Sequence, residues 1–172
     1  MATTIIAPGY HLTWHTYGTW LHGDPAGSVD LLHNTFGTPR LGPDPARMEE
    51  ARRRMKHPPL TLAPTHRILV DNIMRRHCRI RAWDLRALAV RSNHVHVVIA
   101  SPTIDPETIV KQRKEWGTRK LRDHRIIGMQ QRAWVDHAST QYLYEPGALE
   151  EKAHYVLHMQ GNPPPGHGRR EP

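Results

Sequence analysis

The stretch Val95-His96-Val97-Val98-Ile99 constrains this chain more than any other. Four of its five side chains are β-branched, and no Gly or Pro follows before Pro102. Branching at Cβ crowds a helical turn and suits a pleated surface, so a strand is predicted over Ser92 to Ala100. Successive strand side chains alternate in direction. His94 and His96 therefore project from one side, about 7 Å apart along the chain, and Val95 from the other. Two imidazoles so placed can grip one metal ion. With 14 His in 172 residues, however, a His-X-His triplet carries little weight alone.

The pattern before it is also strand-like. From Ile80 to Val90 the residues alternate, with Trp83, Leu85, Ala87 and Ala89 on one side and Asp84, Arg86, Leu88 and Val90 on the other. Arg91-Ser92-Asn93 joins this run to the His strand as a turn, which makes an antiparallel hairpin. Asn93 is expected to turn the chain rather than to orient His94. Near the start, Tyr10 to Leu21 reads as a first strand, with Leu12, Trp14 and Thr16 on one face and His11, His15 and Tyr17 on the other. Those two histidines are expected to face solvent or to hydrogen-bond.

Three helices punctuate the strands. Pro64 to His77 carries an apolar stripe of Leu69, Val70, Ile73 and Met74 at helical spacing. Asp105-Pro106-Glu107 combines an N-cap oxygen, a first-position proline and an acid near the positive end of the dipole, so a helix runs on to about Asp123. Ile109, Trp116 and Leu121 face the sheet in this reading, while Lys111, Arg113, Lys114, Arg119, Lys120 and Arg122 stay outside as a salt-dependent phosphate-contacting surface. Trp134 to Tyr144 is a loop and a strand centred on Gln141 to Tyr144. A last helix opens at Pro146 and passes through Leu149, Ala153 and Val156 to a C-cap at Gly161. The fold class is thus α+β: a ferredoxin-like antiparallel sheet with helices on one face, plus a C-terminal helix.

One domain over residues 1–161 accounts for the length. It carries a Gly- and Pro-punctuated insertion at about 22–60, in which Ala46 to His57 forms a short basic helix, and residues 162–172 form a disordered tail. The net charge of +8 and pI near 10.1 point to a polyanionic partner, nucleic acid ahead of an acidic membrane surface. A single cysteine, Cys78, rules out an internal disulfide framework and fits a reducing compartment. No apolar run approaches a membrane span, so the expected setting is the cytoplasm, with no membrane partner.

On the last helix, Tyr155 falls at the edge of the packed stripe, with His158 and Met159 one turn onward on its own face. Here the chain resembles the single-tyrosine HUH transposases of the IS200/IS605 type and their relatives associated with repetitive extragenic palindromes. The resemblance rests on the strand Tyr10 to Leu21, on His94-Val95-His96, on Ser139-Thr140-Gln141-Tyr142-Leu143, and on Tyr155, 59 residues after His96. It implies that His94 and His96 are metal ligands for Mg2+ or Mn2+. It implies also that Tyr155 attacks a phosphodiester of single-stranded or hairpin DNA, forming a 5′-phosphotyrosine link with release of a 3′-hydroxyl, and that the enzyme works as a homodimer. Imidazoles alone would favour softer metals, so the ion follows from the resemblance. A phenol with an ordinary pKa near 10 needs such help to act as a nucleophile.

The family generally supplies a third ligand about one turn after the tyrosine. That position is Met159 here, a poor donor for a hard cation. His158 is the first choice in its place. Gln160 is the second, lying about 140° round the helix unless the helix unwinds. The alternative function is a domesticated, catalytically weak relative that binds a DNA or RNA hairpin without cutting it. A third reading, a His-ligated metal hydrolase with no covalent step, shares the histidines but not the tyrosine.

Overall fold

The computed structural model describes residues 9–28, 39–100 and 103–159. The tail at 162–172, the C-cap at Gly161 and Gln160 lie outside the described residues. The β-branched run becomes β3 (His94–Ala100), preceded by β2 (Asp84–Val90); the first strand is β1 (Gly9–His15) and the last β4 (Ser139–Leu143). They form a four-stranded sheet in the order β2-β3-β1-β4, antiparallel throughout. This is the ferredoxin-like arrangement, with β1 and β3 at its centre. The first strand is shorter than its composition suggests. After His15, Thr16 makes only a single bridge to Trp134, and Gly18 takes a left-handed turn at φ 71°.

The helices are α1 (Pro45–Arg53), α2 (Pro64–Arg81), α3 (Pro106–Asp123) and α4 (Ala148–His154), the last continuing as a π-helical segment at Tyr155–Met159. Side chains start α1 and α3: Asp44 accepts from the Arg47 amide at 2.9 Å and Asp105 from the Thr108 amide at 2.7 Å. Helix α2 outruns its expected end at His77 by one turn and stops at Ala82, whose left-handed conformation closes it.

Two apolar layers flank the sheet. Tyr10, Leu12 and Trp14 of β1 and Val95, Val97 and Ile99 of β3 pack against Val70, Met74 and Cys78 of α2 and Ile109 and Leu121 of α3. Each such aliphatic side chain contributes about 1.5–3 kcal/mol on full burial. On the opposite face Ala87 and Val98 meet Leu149 of α4 and Val156. The C-terminal helix therefore covers the face away from α2 and α3. That is the face bearing His94 and His96.

The alternation expected along β2 is broken by a bulge between Leu85 and Ala87. The extra residue, Arg86, flips the pattern. Leu85 consequently joins Leu88 and Val90 in the α2/α3 layer, and Ala87 and Ala89 turn to α4.

The insertion is tied to the sheet at several points. Trp20 Nε1 donates to the Gly27 carbonyl at 2.8 Å, and the Tyr17 hydroxyl accepts from the Lys56 amide at 3.1 Å. Leu60 at its end and Leu62 just beyond it are buried in the main core.

Candidate active site

The sheet register builds the site. Antiparallel pairing sets Thr13 opposite His96 and His15 opposite His94, so β1 and β3 bring four imidazoles onto one face. The His94 and His96 rings meet edge to face with centroids 4.7 Å apart, His15 lies 5.5 Å from His94, and His11 stacks on His96 at 5.3 Å. His11 and His15 thus stand inside the cluster, and His11 makes the hydrogen bond that is one of its two expected roles. Trp20 closes the His15 side, its ring 4.5 Å away.

His15, His94 and His96 favour the neutral form at physiological pH. Burial, reinforced by His94 and Arg40, lowers the pKa of His15 to about 3. Burial with the nearby Arg91 lowers His94 to about 4. Burial first, then the charges of His94, His11, His15 and Arg91, holds His96 well below its ordinary value. A neutral ring is what a metal ion requires of a histidine.

Each ring of the pair uses Nδ1 within the protein. His94 Nδ1 is 2.7 Å from Asn93 Oδ1, and His96 Nδ1 is 2.9 Å from Thr13 Oγ1 and 3.1 Å from His11 Nε2. This leaves Nε2 of both rings for a ligand, the arrangement of metal-bound histidines whose other nitrogen is anchored by a polar partner. The donor set therefore suits a divalent cation as two of its ligands. Among the described residues no three His, Cys, Asp or Glu side chains form a group able to hold one, so His158 does not complete a triad with the pair. Asn93 does more than turn the hairpin. It is buried, it bonds His94, and its carbonyl accepts from the Thr16 amide at 2.9 Å.

Tyr155 arrives on the same face. It is half-buried and packs against the cluster formed by Ala87, Val98, Leu143, Leu149 and Val156, and Val98 is the next residue after His96 on that side of β3, about 7 Å further along. The Lys152 ammonium lies 5.3 Å from the Tyr155 ring. Winding is the surprise here, because i→i+5 bonding begins at the tyrosine itself. His158 is exposed, its ring 4.8 Å from that of His154, and Met159 is exposed as well.

The six cations of α3 do not share an outer surface. Arg113 is fully buried, with its guanidinium 5.9 Å over Trp83 and one nitrogen donating to Cys78 Sγ. Lys114 Nζ, half-buried, donates to the carbonyls of Val135, Asp136 and His137 at 2.8, 3.1 and 3.1 Å, and burial lowers its pKa to about 8. Arg122 is half-buried and donates to the Gln131 carbonyl at 3.3 Å, while Lys120 pairs with Asp123 at 2.8 Å. Lys111 and Arg119 alone of the six are exposed. The reason lies in the stripe: Ile109, Arg113, Gly117 and Leu121 follow one another at four-residue steps and are all buried.

Comparison with known proteins bears on the family and the fold. The family model described as "Transposase IS200 like" matches residues 59–144, half of the chain. No curated protein matches. A crystal structure from Deinococcus radiodurans R1, described as a transposase, shares 15% identity and a TM-score of 0.50 over 91% of this chain and 94% of its own. A REP-associated tyrosine transposase bound to a REP hairpin shares 11% identity and a TM-score of 0.50 over 91% of this chain and 68% of its own. At these identities the structural likeness shows the fold.

Proposed function

The chain belongs to the IS200-like transposase family, and from that premise we propose that it nicks and rejoins single-stranded DNA in a metal-dependent reaction, with Tyr155 as the nucleophile. The observation that carries this reading is the placement of Tyr155 and the His94/His96 pair on one face of one sheet, within a single chain.

The Tyr155 oxygen attacks phosphorus and gives up its proton, the bond from phosphorus to the 3′-oxygen breaks, and that oxygen leaves as a hydroxyl. The 5′-phosphate remains on the tyrosine, so the phosphodiester energy is kept and the reverse step rejoins strands without ATP. His94 and His96 bind through Nε2. A divalent cation held there, Mg2+ or Mn2+, supplies Lewis-acid stabilisation of the phosphate charge. Lys152 adds positive charge beside the phenol ring.

For the third donor, His158 is the first candidate and Gln160 the second; His158 is exposed, with its ring beside that of His154. Comparing Mn2+ affinity in His158→Ala and Gln160→Ala identifies the ligand by which variant loses it. Hairpin DNA is the proposed substrate, in keeping with the REP hairpin held by a structural neighbour. Lys111 and Arg119, the exposed α3 cations, are proposed to contact its phosphates, and a homodimer in the cytoplasm is the proposed working form.

The test is a covalent one. Wild-type protein, Mn2+ and end-labelled hairpin DNA are expected to yield labelled protein on a denaturing gel, and Tyr155→Phe none. Binding without label would favour the hairpin-binding relative, which the exposed thioether of Met159 four residues after Tyr155 also supports. Cleavage that persists in Tyr155→Phe would instead favour a hydrolase.

A further inference from the structure

Three polar atoms meet behind His96. Thr13 Oγ1 is 2.9 Å from His96 Nδ1 and 3.4 Å from His11 Nε2, and the two ring nitrogens are 3.1 Å apart. All belong to the sheet face of the candidate site, and Thr13 is the direct β1 partner of His96. A hydroxyl has one proton to give and lone pairs to receive, so it can pass hydrogen bonding in either direction.

Beside the direct contact between the two rings, two patterns run through the hydroxyl. In the first, His96 Nδ1–H donates to Thr13 Oγ1, and the Thr13 hydroxyl donates to His11 Nε2. His96 then carries its lone pair on Nε2. In the second, every donor reverses: His11 Nε2–H donates to Thr13 and the Thr13 hydroxyl to His96 Nδ1. His96 then bears a proton on Nε2, where a cation would have to bind. His94 has no such choice, because the Asn93 carboxamide oxygen at 2.7 Å only accepts and so fixes the proton on His94 Nδ1.

We propose that Thr13, backed by His11, is the positioning residue that sets the tautomer of His96, matching it to His94 so that both Nε2 lone pairs face the cation. The inference rests on the metal-dependent reading above, and it adds β1 residues that the His-Val-His motif does not include. Partners that orient metal-bound imidazoles in this way commonly affect metal affinity about 10- to 100-fold.

Long-range 1H–15N spectra of the full chain with 15N-labelled histidine, freed of metal at neutral pH, read the tautomer directly. His94 and His96 are both expected to be protonated on Nδ1 in the wild type. Thr13→Val should shift His96 toward the Nε2–H form, leave His94 unchanged, and weaken Mn2+ binding roughly 10- to 100-fold, as followed by electron paramagnetic resonance of free Mn2+. Thr13→Ser, which keeps the hydroxyl, should restore both. A wild-type His96 protonated on Nε2 overturns the proposal, as does a folded Thr13→Val with unaltered spectrum and affinity. If the wild type shows the Nδ1–H pair yet binds no Mn2+, the tautomer assignment stands and the metal-dependent function falls.

Discussion

His77 lies flat against Trp116, their ring centroids 5.2 Å apart and their planes 14° from parallel. Trp83 meets the same imidazole edge-on at 5.2 Å, and its Nδ1 has no hydrogen-bond partner. Burial, with Arg113 and Arg81 nearby, lowers the His77 pKa from 6.5 to about 4. The unfolded chain therefore takes up the proton first as pH falls. Stability is full above about pH 6.5 and declines toward pH 4, by about 3 kcal/mol for this group. Urea midpoints measured across that window should fall in the wild type and fall less in His77→Phe.

Gly9 lets α4 approach the sheet. A methyl group there would lie 2.5 Å from the Ile99 carbonyl oxygen and 2.6 Å from Leu149 Cδ1. Gly9→Ala is expected to lose about 1–3 kcal/mol. Because Leu149 belongs to the helix that leads into Tyr155, the yield of covalent protein–DNA adduct should drop too, measured below the melting range of the variant.

The buried guanidinium of Arg113 separates packing from DNA contact. Its Nε and Nη1 are buried and unpartnered, so Arg113→Met should be neutral or stabilise the fold by about 1–4 kcal/mol. The salt dependence of hairpin binding should not change. Lys111→Ala and Arg119→Ala should each leave the melting temperature alone and lower the salt slope by about 1. A slope reduced by Arg113→Met would place that side chain against DNA after all.

Metal removal should leave the fold intact, since both apolar layers close without the histidine pair. Chelation is expected to abolish adduct formation reversibly. Saturating Mn2+ at about 100 times its dissociation constant should add about 2.7 kcal/mol of stability. His96→Ala should lose that increment, and calorimetry with and without the ion measures it.

Much of this could be read from the chain. The β-branched run, the hairpin and the Asp105-Pro106 helix start are local signals, and together they order the sheet. What local patterns could not carry was partner-dependent. The bulge at Arg86 flips β2 only because β3 pairs across it, and Thr13 matters through the residue opposite it. Arg113 is different. The four-residue rhythm Ile109, Arg113, Gly117, Leu121 marks the buried stripe, and the charge drew the reading away from it. The π winding at Tyr155 left no such mark, because it depends on how the helix end settles over β2 and β3.

In β3, odd-numbered side chains serve the α2/α3 layer and even-numbered ones the face toward α4. A slip of one residue against β1 would drive His94 and His96 into oil and leave Val95 and Val97 wet. Proofreading of the chemistry is thus inherited from folding: a misthreaded molecule forfeits its core together with its metal grip, so few stable but inert copies should accumulate.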